Sequence, residues 1–185
     1  MVGRVIRSKG VLEYMAAAQE VLDRYPNVRF LLAGADDHES LDRLSSEELT
    51  QLRQALTWLG PRSDIPIVLA LSNIFVFPSA YREGVPRVLL EAASMGLPIV
   101  TTDSPGCRDM VENGVNGLLV PVRDVGALCQ AILSLIERPQ LCRRFGRLSR
   151  QRAIERFDSS VVAEQTRSMY RQLLARKTQS LATRS

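Results

Sequence analysis

Short runs of β-branched and aliphatic residues alternate along the chain with longer stretches whose apolar residues recur every three or four positions. The first pattern is typical of buried strands, and the second is typical of helices that bury one face. Their alternation predicts an α/β fold, a Rossmann-like, doubly wound parallel sheet with helices on both faces. About six strands are predicted, at 2–6, 28–33, 56–59, 74–77, 99–102 and 118–120.

The helices are predicted from the same periodicity and from the residues that punctuate their ends. Pro86 in a first turn and Gly96 after a last turn bracket one helix, and Asp124 is placed to cap another. Residues 1–175 are assigned to one domain, and 176–185 to a polar tail that is expected to fray. Helices are predicted near 9–25, after 45–48, at 86–95, after 124, after 139 and at 159–175.

The composition narrows the range of functions. The chain carries 24 Lys and Arg against 20 Asp and Glu, and its net charge of +4 favours anionic ligands. It has neither a block of basic residues nor enough aromatic residues for base stacking, so no nucleic-acid partner is predicted.

The three cysteines lack metal-site spacing and are interpreted as reduced thiols of a cytoplasmic protein, without a metal. No apolar run approaches the ~18 residues that span a bilayer, so any membrane contact is expected to be peripheral.

The first candidate site is the loop 3–11, Gly-Arg-Val-Ile-Arg-Ser-Lys-Gly-Val, which joins a predicted strand to a predicted helix. The amide groups and the positive dipole end of that helix face the same space as the loop. Arg4 and Lys9 add two cations there, which suits a diphosphate that gains charge as its bond to a sugar breaks. The same residues are also compatible with a solvated basic turn, and their spacing is not that of a Walker loop.

The second candidate site follows the predicted strand 74–77 and contains two glutamates separated by seven residues. Gly84, beside Glu83, permits a ligand to approach the backbone closely. Glu91 falls in an otherwise apolar stretch of the next helix, where burying a carboxylate is costly unless hydrogen-bond donors are present. Sugar or ribose hydroxyls are such donors. Taken alone, however, each glutamate is better explained by an ion pair with a core arginine.

The segment 78–106 reads Pro-Ser-x3-Glu-Gly-x-Pro-Arg-x2-Leu-Glu-Ala-x3-Gly-x-Pro-Ile-Val-Thr-Thr-Asp-x-Pro-Gly. Together with Gly-Arg-x4-Lys-Gly-Val at 3–11, Leu-Leu-Ala-Gly at 31–34 and Asn-Gly-x-Asn-Gly-Leu-Leu-Val-Pro at 113–121, it resembles the donor-binding domain of glycosyltransferase family 4. The resemblance runs from residue 3 to about residue 170 and implies one half of a GT-B fold, in which two Rossmann-like domains face each other. Within the family, the chain looks most like enzymes of bacterial capsule, lipopolysaccharide or exopolysaccharide synthesis.

The resemblance implies a retaining transferase of a hexose or a similar sugar, with a nucleotide-sugar donor that is predicted to be UDP-linked. Family members generally need no metal and no cofactor. Arg4 and Lys9 match the residues that hold the donor diphosphate, and Glu83 matches the carboxylate that holds hydroxyls of the transferred sugar. These three are the predicted catalytic residues.

Further donor-binding residues are implied in the same way. Gly84, Val85 and Pro86 match a turn that presents backbone amides to sugar and phosphate, although Pro86 itself has no N–H. Glu91 matches the carboxylate that binds the ribose hydroxyls. Arg62 is predicted to lie beside the base. The segment 35–37, Ala-Asp-Asp, stands where many family members have a second glycine, and it is interpreted as a solvated loop.

The resemblance implies a preceding amino-terminal domain, absent here, that binds a lipid-linked oligosaccharide at the inner face of the plasma membrane. Without that domain the chain is expected to be inactive by itself. The alternative is a non-catalytic nucleotide-sugar-binding module or an inactive fragment. A dinucleotide-dependent oxidoreductase is disfavoured, because Gly-x-Gly-x-x-Gly does not follow the first predicted strand.

Overall fold

The computed structural model describes the backbone of residues 1–182 and side chains as far as residue 174. The helices in this part of the chain are α1 (Val11–Arg24), α2 (Ser46–Ala55), α3 (Ile65–Ala70), α4 (Arg87–Ser94), α5 (Cys107–Met110), α6 (Val125–Ile136), α7 (Pro139–Phe157) and α8 (Ser159–Ala182). The strands are β1 (Leu31–Leu32), β2 (Thr57–Trp58), β3 (Phe75–Phe77), β4 (Ile99–Thr102) and β5 (Gly117–Val120), and Arg7–Lys9 forms one turn of 3-10 helix.

All the strand pairs are parallel, as predicted. β1 pairs with β2 in one sheet, and the order in the other sheet is β3-β4-β5. In the larger sheet Phe75 lies opposite Ile99, which in turn lies opposite Gly117. Each connection between paired strands contains a helix, because parallel strands need a crossover that returns the chain to the same end of the sheet.

The predicted first strand, 2–6, is wrong as a strand, and the described residues contain five strands rather than six. Backbone hydrogen bonds hold the segment on one side, where the N–H of Gly3 donates to the carbonyl of Ala33 at 2.9 Å. A Cβ on Gly3 would lie 3.7 Å from the ring of Phe77, so the segment also packs close to β3. The segment pairs only through isolated parallel bridges, Val2 to Ala33 and Val5 to Asp36.

Successive residues of the larger sheet face opposite sides, as the pleat requires. Phe75, Phe77 and Ile99 contribute to a cluster that includes buried residues of α3, α4 and α5. Val76 and Val100 contribute to a second cluster, which includes residues of α1, α2 and α6. Helices therefore cover both faces, and the doubly wound arrangement is confirmed. Burying each of the two phenylalanines contributes about 2–3 kcal/mol.

Side chains cap two helices at the predicted positions. The hydroxyl of Ser45 accepts from the N–H of Glu48 at 3.2 Å, and the Glu48 carboxylate accepts from the N–H of Ser45 at 2.7 Å, which is a full capping box. The carboxylate of Asp124 accepts from the N–H of Ala127 at 2.8 Å at the start of α6. These caps fix where α2 and α6 begin.

Two short helices, α3 and α5, were not predicted, because neither is long enough to show helical periodicity. Pro66, which breaks the apolar run 65–71, lies in the first turn of α3, where its missing N–H removes no helical hydrogen bond. At the other end of the chain α8 continues to Ala182, beyond the predicted end near residue 175. Residues 183–185 of the predicted tail lie outside the described residues.

Candidate functional site

The candidate residues lie in loops that follow the carboxyl ends of the parallel segments. The first loop follows 2–5, the second joins β3 to α4, and a third joins β4 to α5. In doubly wound folds this edge of the sheet is where ligands bind, because several strand-to-helix loops open onto one crevice there. The two loops singled out from the sequence are therefore neighbours in space.

The first and second loops are joined directly by backbone hydrogen bonds. The carbonyl oxygen of Ser8 accepts from the N–H of Ala80 at 2.8 Å and from the N–H of Tyr81 at 3.1 Å. Gly10 makes the junction tighter still, since a Cβ at this position would overlap the carbonyl oxygen of Pro78. Gly10 also has a φ of +78°, in the left-handed region that favours glycine. The two loops consequently form one connected surface.

Lys9 and Glu83 form an ion pair across this junction. The Lys9 side chain is only 11% exposed, and its ammonium lies 5.0 Å from the ring centroid of Tyr81 and 5.5 Å from that of Phe77. A cation in such surroundings needs an anion and electron-rich groups beside it, because burial has removed most of its water. The structure thus brings together two of the three predicted catalytic residues.

The third loop, between β4 and α5, packs closely against the turn at 84–86. A Cβ on Gly106 would overlap the carbonyl oxygen of Gly84, and Gly106 has a φ of +79°. Only glycine fits this close approach without displacing the backbone. The motif quoted from the sequence ends in Pro105-Gly106, a pair typical of turns, but its support of the turn at 84–86 was not predicted. Val85 is half-buried and Pro86 is buried at the start of α4.

Buried hydroxyls connect the ends of β3 and β4. The hydroxyl of Thr101 donates to the carbonyl of Phe77 at 2.6 Å, and that of Thr102 donates to the carbonyl of Ser79. Ser104 lies 3.1 Å from the Thr102 hydroxyl. Sequence reasoning missed this network, because a threonine at the end of a strand gives no sign of whether its hydroxyl is buried. The network holds the end of β3 and the start of the second loop, which leads to Glu83.

Arg4 pairs with Asp37 rather than with Glu83, and its guanidinium lies 2.8 Å from the carboxylate of Asp37. The Arg4 side chain is more than half exposed. The prediction of a solvated loop at 35–37 is wrong for Asp36, whose side chain is only 12% exposed. One carboxylate oxygen of Asp36 is buried without a hydrogen-bond partner in the described structure, while the other lies 3.2 Å from Nδ1 of His38.

Arg62 and Asp64 form a two-point ion pair after β2, with hydrogen bonds of 2.7 and 2.5 Å. Both side chains are partly exposed. The hydrogen bonds from Arg62 hold the pKa of the Asp64 carboxyl below its ordinary value, and they raise the pKa of Arg62. The predicted base-binding residue is therefore already engaged by a neighbour two positions along the chain.

Glu91 does not occupy the buried position that its apolar surroundings in the sequence suggested. It is exposed on the outer face of α4, together with Arg87 and Ser94, while Leu89, Ala92 and Ala93 form the buried face. Three- and four-residue spacing explains the arrangement, since the apolar neighbours in sequence point to the opposite side of the helix. No side-chain hydrogen bond to the Glu91 carboxylate is found in the described part of the chain.

Two further properties concern the part of the chain that the structure describes. No group of three or more His, Cys, Asp or Glu residues is placed to hold a metal ion within the described residues, and independence of metal stays a prediction. None of the described helices is both long enough and apolar enough to cross a bilayer.

Residues 1–138 match the family described as Glycosyl transferases group 1. The chain belongs to this family. The glycosyltransferase resemblance carried by the sequence motifs is therefore confirmed, and an oxidoreductase is not supported.

Three curated relatives show the range of this glycosyltransferase family. The chain is 36% identical to an alpha-maltose-1-phosphate synthase of Mycolicibacterium smegmatis, over 94% of this chain and 47% of the relative. It is 32% identical to the capsular polysaccharide biosynthesis glycosyltransferase CapM of Staphylococcus aureus, over 94% and 45%. It is also 32% identical to an N,N'-diacetylbacillosaminyl-diphospho-undecaprenol alpha-1,3-N-acetylgalactosaminyltransferase of Campylobacter jejuni, over 92% and 43%. The chain spans less than half the length of each of these relatives.

The fold matches solved glycosyltransferase structures over most of the chain. The crystal structure of Anabaena Alr3699/HepE in complex with UDP superposes with a TM-score of 0.81 at 27% identity, over 92% of this chain and 48% of that one. The likeness confirms that the described residues fold as part of a GT-B glycosyltransferase.

Proposed function

We propose that this chain binds a UDP-linked sugar at the carboxyl edge of its strands and forms the donor half of a retaining glycosyltransferase. The Lys9–Glu83 pair is the observation that carries the proposal. It places a cation and a carboxylate side by side, between loops locked together by Ser8 and Gly10. A sugar diphosphate needs both groups, because its phosphates form ion pairs with a cation and its hydroxyls donate hydrogen bonds to an acceptor. The UDP complex of the similar Anabaena protein supports the choice of nucleotide.

Lys9 and Arg4 are assigned to the diphosphate. As the bond between the sugar and the diphosphate breaks, its electrons pass to the diphosphate oxygen, and positive groups fixed nearby stabilise the added charge. Lys9 is held in place before the ligand arrives. Arg4 reaches the same ligand by leaving Asp37, which costs little because an exposed ion pair contributes only about 0–1 kcal/mol.

Glu83 and the turn after it are assigned to the transferred sugar. The Glu83 carboxylate is about one third exposed and keeps acceptor capacity beyond its contact with Lys9. Gly84 and Val85 offer backbone N–H groups at the start of α4, where the helix dipole also favours phosphate. Pro86 shapes the turn without donating.

Glu91 and Arg62 are assigned to the nucleoside. The exposed carboxylate of Glu91 is free to accept hydrogen bonds from two neighbouring ribose hydroxyls. Arg62 lies after β2 and reaches the base by exchanging or sharing its contact with Asp64. Transfer is proposed to need no divalent metal, since Arg4 and Lys9 supply positive charge at the diphosphate.

The acceptor is proposed to be a lipid-linked oligosaccharide that a preceding domain binds, on the cytoplasmic side of the membrane. The Campylobacter relative, whose name specifies a diphospho-undecaprenol-linked substrate, supports this choice. The relative named as a maltose-1-phosphate synthase has a different product, so an acceptor assay must include both chemical classes.

Calorimetric titration of the 185-residue chain with UDP, GDP, ADP, UDP-glucose and UDP-N-acetylglucosamine tests the proposal, first with a chelator and then with magnesium. We expect binding that is selective for uridine nucleotides and unchanged by magnesium. Glu91→Ala is expected to weaken UDP binding about tenfold, because a charged hydrogen-bond acceptor is lost. Glu83→Ala is expected to retain UDP binding and to lose the preference for UDP-sugar over UDP.

Glu155→Ala is the matched control, since it removes an exposed glutamate from α7, outside the site. It should bind every ligand as the parent does. The assignment fails if both site variants bind UDP-sugar like the parent, or if the folded parent binds no nucleotide at millimolar concentration.

A further inference from the structure

A second basic surface lies on α7, which contributes no residue to the candidate donor site. Four exposed arginines at spacings of three and four share one side of this helix, which we call the arginine face. The opposite side is buried and packs towards the domain, through Phe145, Gly146, Ser149 and Ala153. Glu155 is the single acidic residue of α7. The arginine face consists of Arg143, Arg144, Arg147 and Arg150.

The charges of the arginine face are not neutralised by nearby carboxylates. Arg150 donates to the carbonyl of Ser94 at 2.6 Å, which leaves its charge in place. For the other three arginines of the face, the described part of the chain provides no carboxylate within ion-pair distance. Some arginines outside the face are neutralised, since Arg4, Arg62 and Arg152 each contact an acidic side chain.

Exposed apolar side chains lie beside these arginines. Ile154 follows Arg150 by one turn and is 54% exposed. Met95, next to the Ser94 carbonyl that Arg150 contacts, is 40% exposed. At the other end Leu71 is 74% exposed and lines the same cavity as Arg143. The surface therefore combines cations with apolar side chains that are exposed for about half of their area.

We propose that the arginine face binds an anionic lipid bilayer. Guanidinium groups form two-point hydrogen bonds with phosphate, and four on one side of a helix match a plane of anionic headgroups. Leu71, Met95 and Ile154 would enter the boundary between headgroups and acyl chains, as apolar residues of interfacial helices do. A nucleic-acid backbone would satisfy the arginines but would leave these three side chains in water. The proposal goes beyond donor binding and does not depend on it.

Co-sedimentation of the 185-residue chain with vesicles tests the proposal. One set of vesicles contains about one third phosphatidylglycerol in phosphatidylcholine, and the other is phosphatidylcholine alone. We expect binding to the anionic vesicles only, weakening as salt is added. Each arginine near such a surface contributes roughly fivefold, so Arg143→Gln/Arg144→Gln/Arg147→Gln should reduce partitioning by on the order of 100-fold.

The control variant is Arg24→Gln/Arg167→Gln/Arg171→Gln, which removes the same charge from other exposed helix positions. Arg167 and Arg171 already contact Glu164, so this variant should stay within about twofold of the parent. Circular dichroism checks that both variants fold, and UDP titration checks the donor site separately. The proposal is overturned by equal binding to both vesicle types, by an equal loss in the control, or by tighter binding to duplex DNA than to the anionic vesicles.

Discussion

Two ion pairs at the same edge of the strands differ in their surroundings. Lys9 and Glu83 meet between two joined loops, with the Lys9 side chain 11% exposed beside two aromatic rings. Arg62 and Asp64 meet two residues apart, with the Arg62 side chain 43% exposed. Water and salt screen the second pair far more than the first. The comparison indicates that the side proposed to bind the sugar diphosphate is fixed before a ligand binds, whereas the side proposed to bind the base can rearrange.

The glycines beside the two ion pairs also differ in how closely the surrounding chain packs against them. Gly10 and Gly60 both have positive φ angles, of +78° and +69°. A Cβ on Gly10 would overlap the backbone of Pro78, whereas a Cβ on Gly60 would meet nothing within 4 Å. The fixed side of the site is therefore close-packed backbone against backbone, and the other side is open.

The largest expected effect comes from Gly10→Ala. The left-handed conformation costs a non-glycine residue about 1–2 kcal/mol, and overlap with the Pro78 carbonyl adds a similar amount. We expect the free energy of unfolding to fall by about 3 kcal/mol in urea denaturation. Gly60→Ala has the conformational strain without the overlap, so it should lose only about 1 kcal/mol. Equal losses in the two variants would contradict the contrast between the two sides.

A smaller effect is expected from double-mutant cycles on the two ion pairs. For Lys9→Gln and Glu83→Gln we expect a coupling of about 1–3 kcal/mol in the free energy of unfolding, because the pair is poorly screened. For Arg62→Gln and Asp64→Asn we expect a coupling of at most about 0.5 kcal/mol, because both groups are partly exposed and screened by solvent. Unfolding of all the variants in urea, at low and high salt, measures both couplings. A larger coupling for the second pair would reverse the comparison.

The sequence predicted the larger outline of the fold for identifiable physical reasons. Buried strands of aliphatic residues, an apolar helix face from Val11 to Tyr25, and the caps at Ser45 and Asp124 are local signals, and the structure contains each of them. The segment 2–6 failed as a strand because it pairs with the neighbouring chain only at single positions, through the bridges from Val2 to Ala33 and from Val5 to Asp36.

The sequence predicted which residues belong to the candidate site, but it did not predict which of them contact each other. Lys9 and Glu83 are far apart in sequence, and only the folded chain shows that they meet. Glu91 looked buried because its sequence neighbours are apolar, but the turn of α4 directs it outwards. The importance of Ser8 was invisible, because its contribution comes from a backbone carbonyl rather than a side chain.

The smallest expected effect is a pH dependence on the fixed side, through Asp42. Its carboxylate accepts from the N–H of Ser8 at 2.6 Å, and Ser8 in turn holds the second loop. Hydrogen bonds from Ser8 and the charge of Arg7 lower the pKa of Asp42 below its ordinary value. The folded state therefore binds this proton less readily than the unfolded state does. The stabilisation is complete above the unfolded pKa of about 3.9, and it is lost as the pH falls through the lower folded value.

Asp42→Asn removes this titration while retaining a side chain of similar size. Between about pH 5 and about pH 3 the parent should lose more of its free energy of unfolding than the variant does, as measured by urea denaturation at each pH. The difference should be modest, because the carboxylate lies near the surface. Parallel losses in parent and variant would mean that the Asp42–Ser8 contact does not stabilise the joined loops, and that their rigidity rests on the Ser8 carbonyl and Gly10 alone.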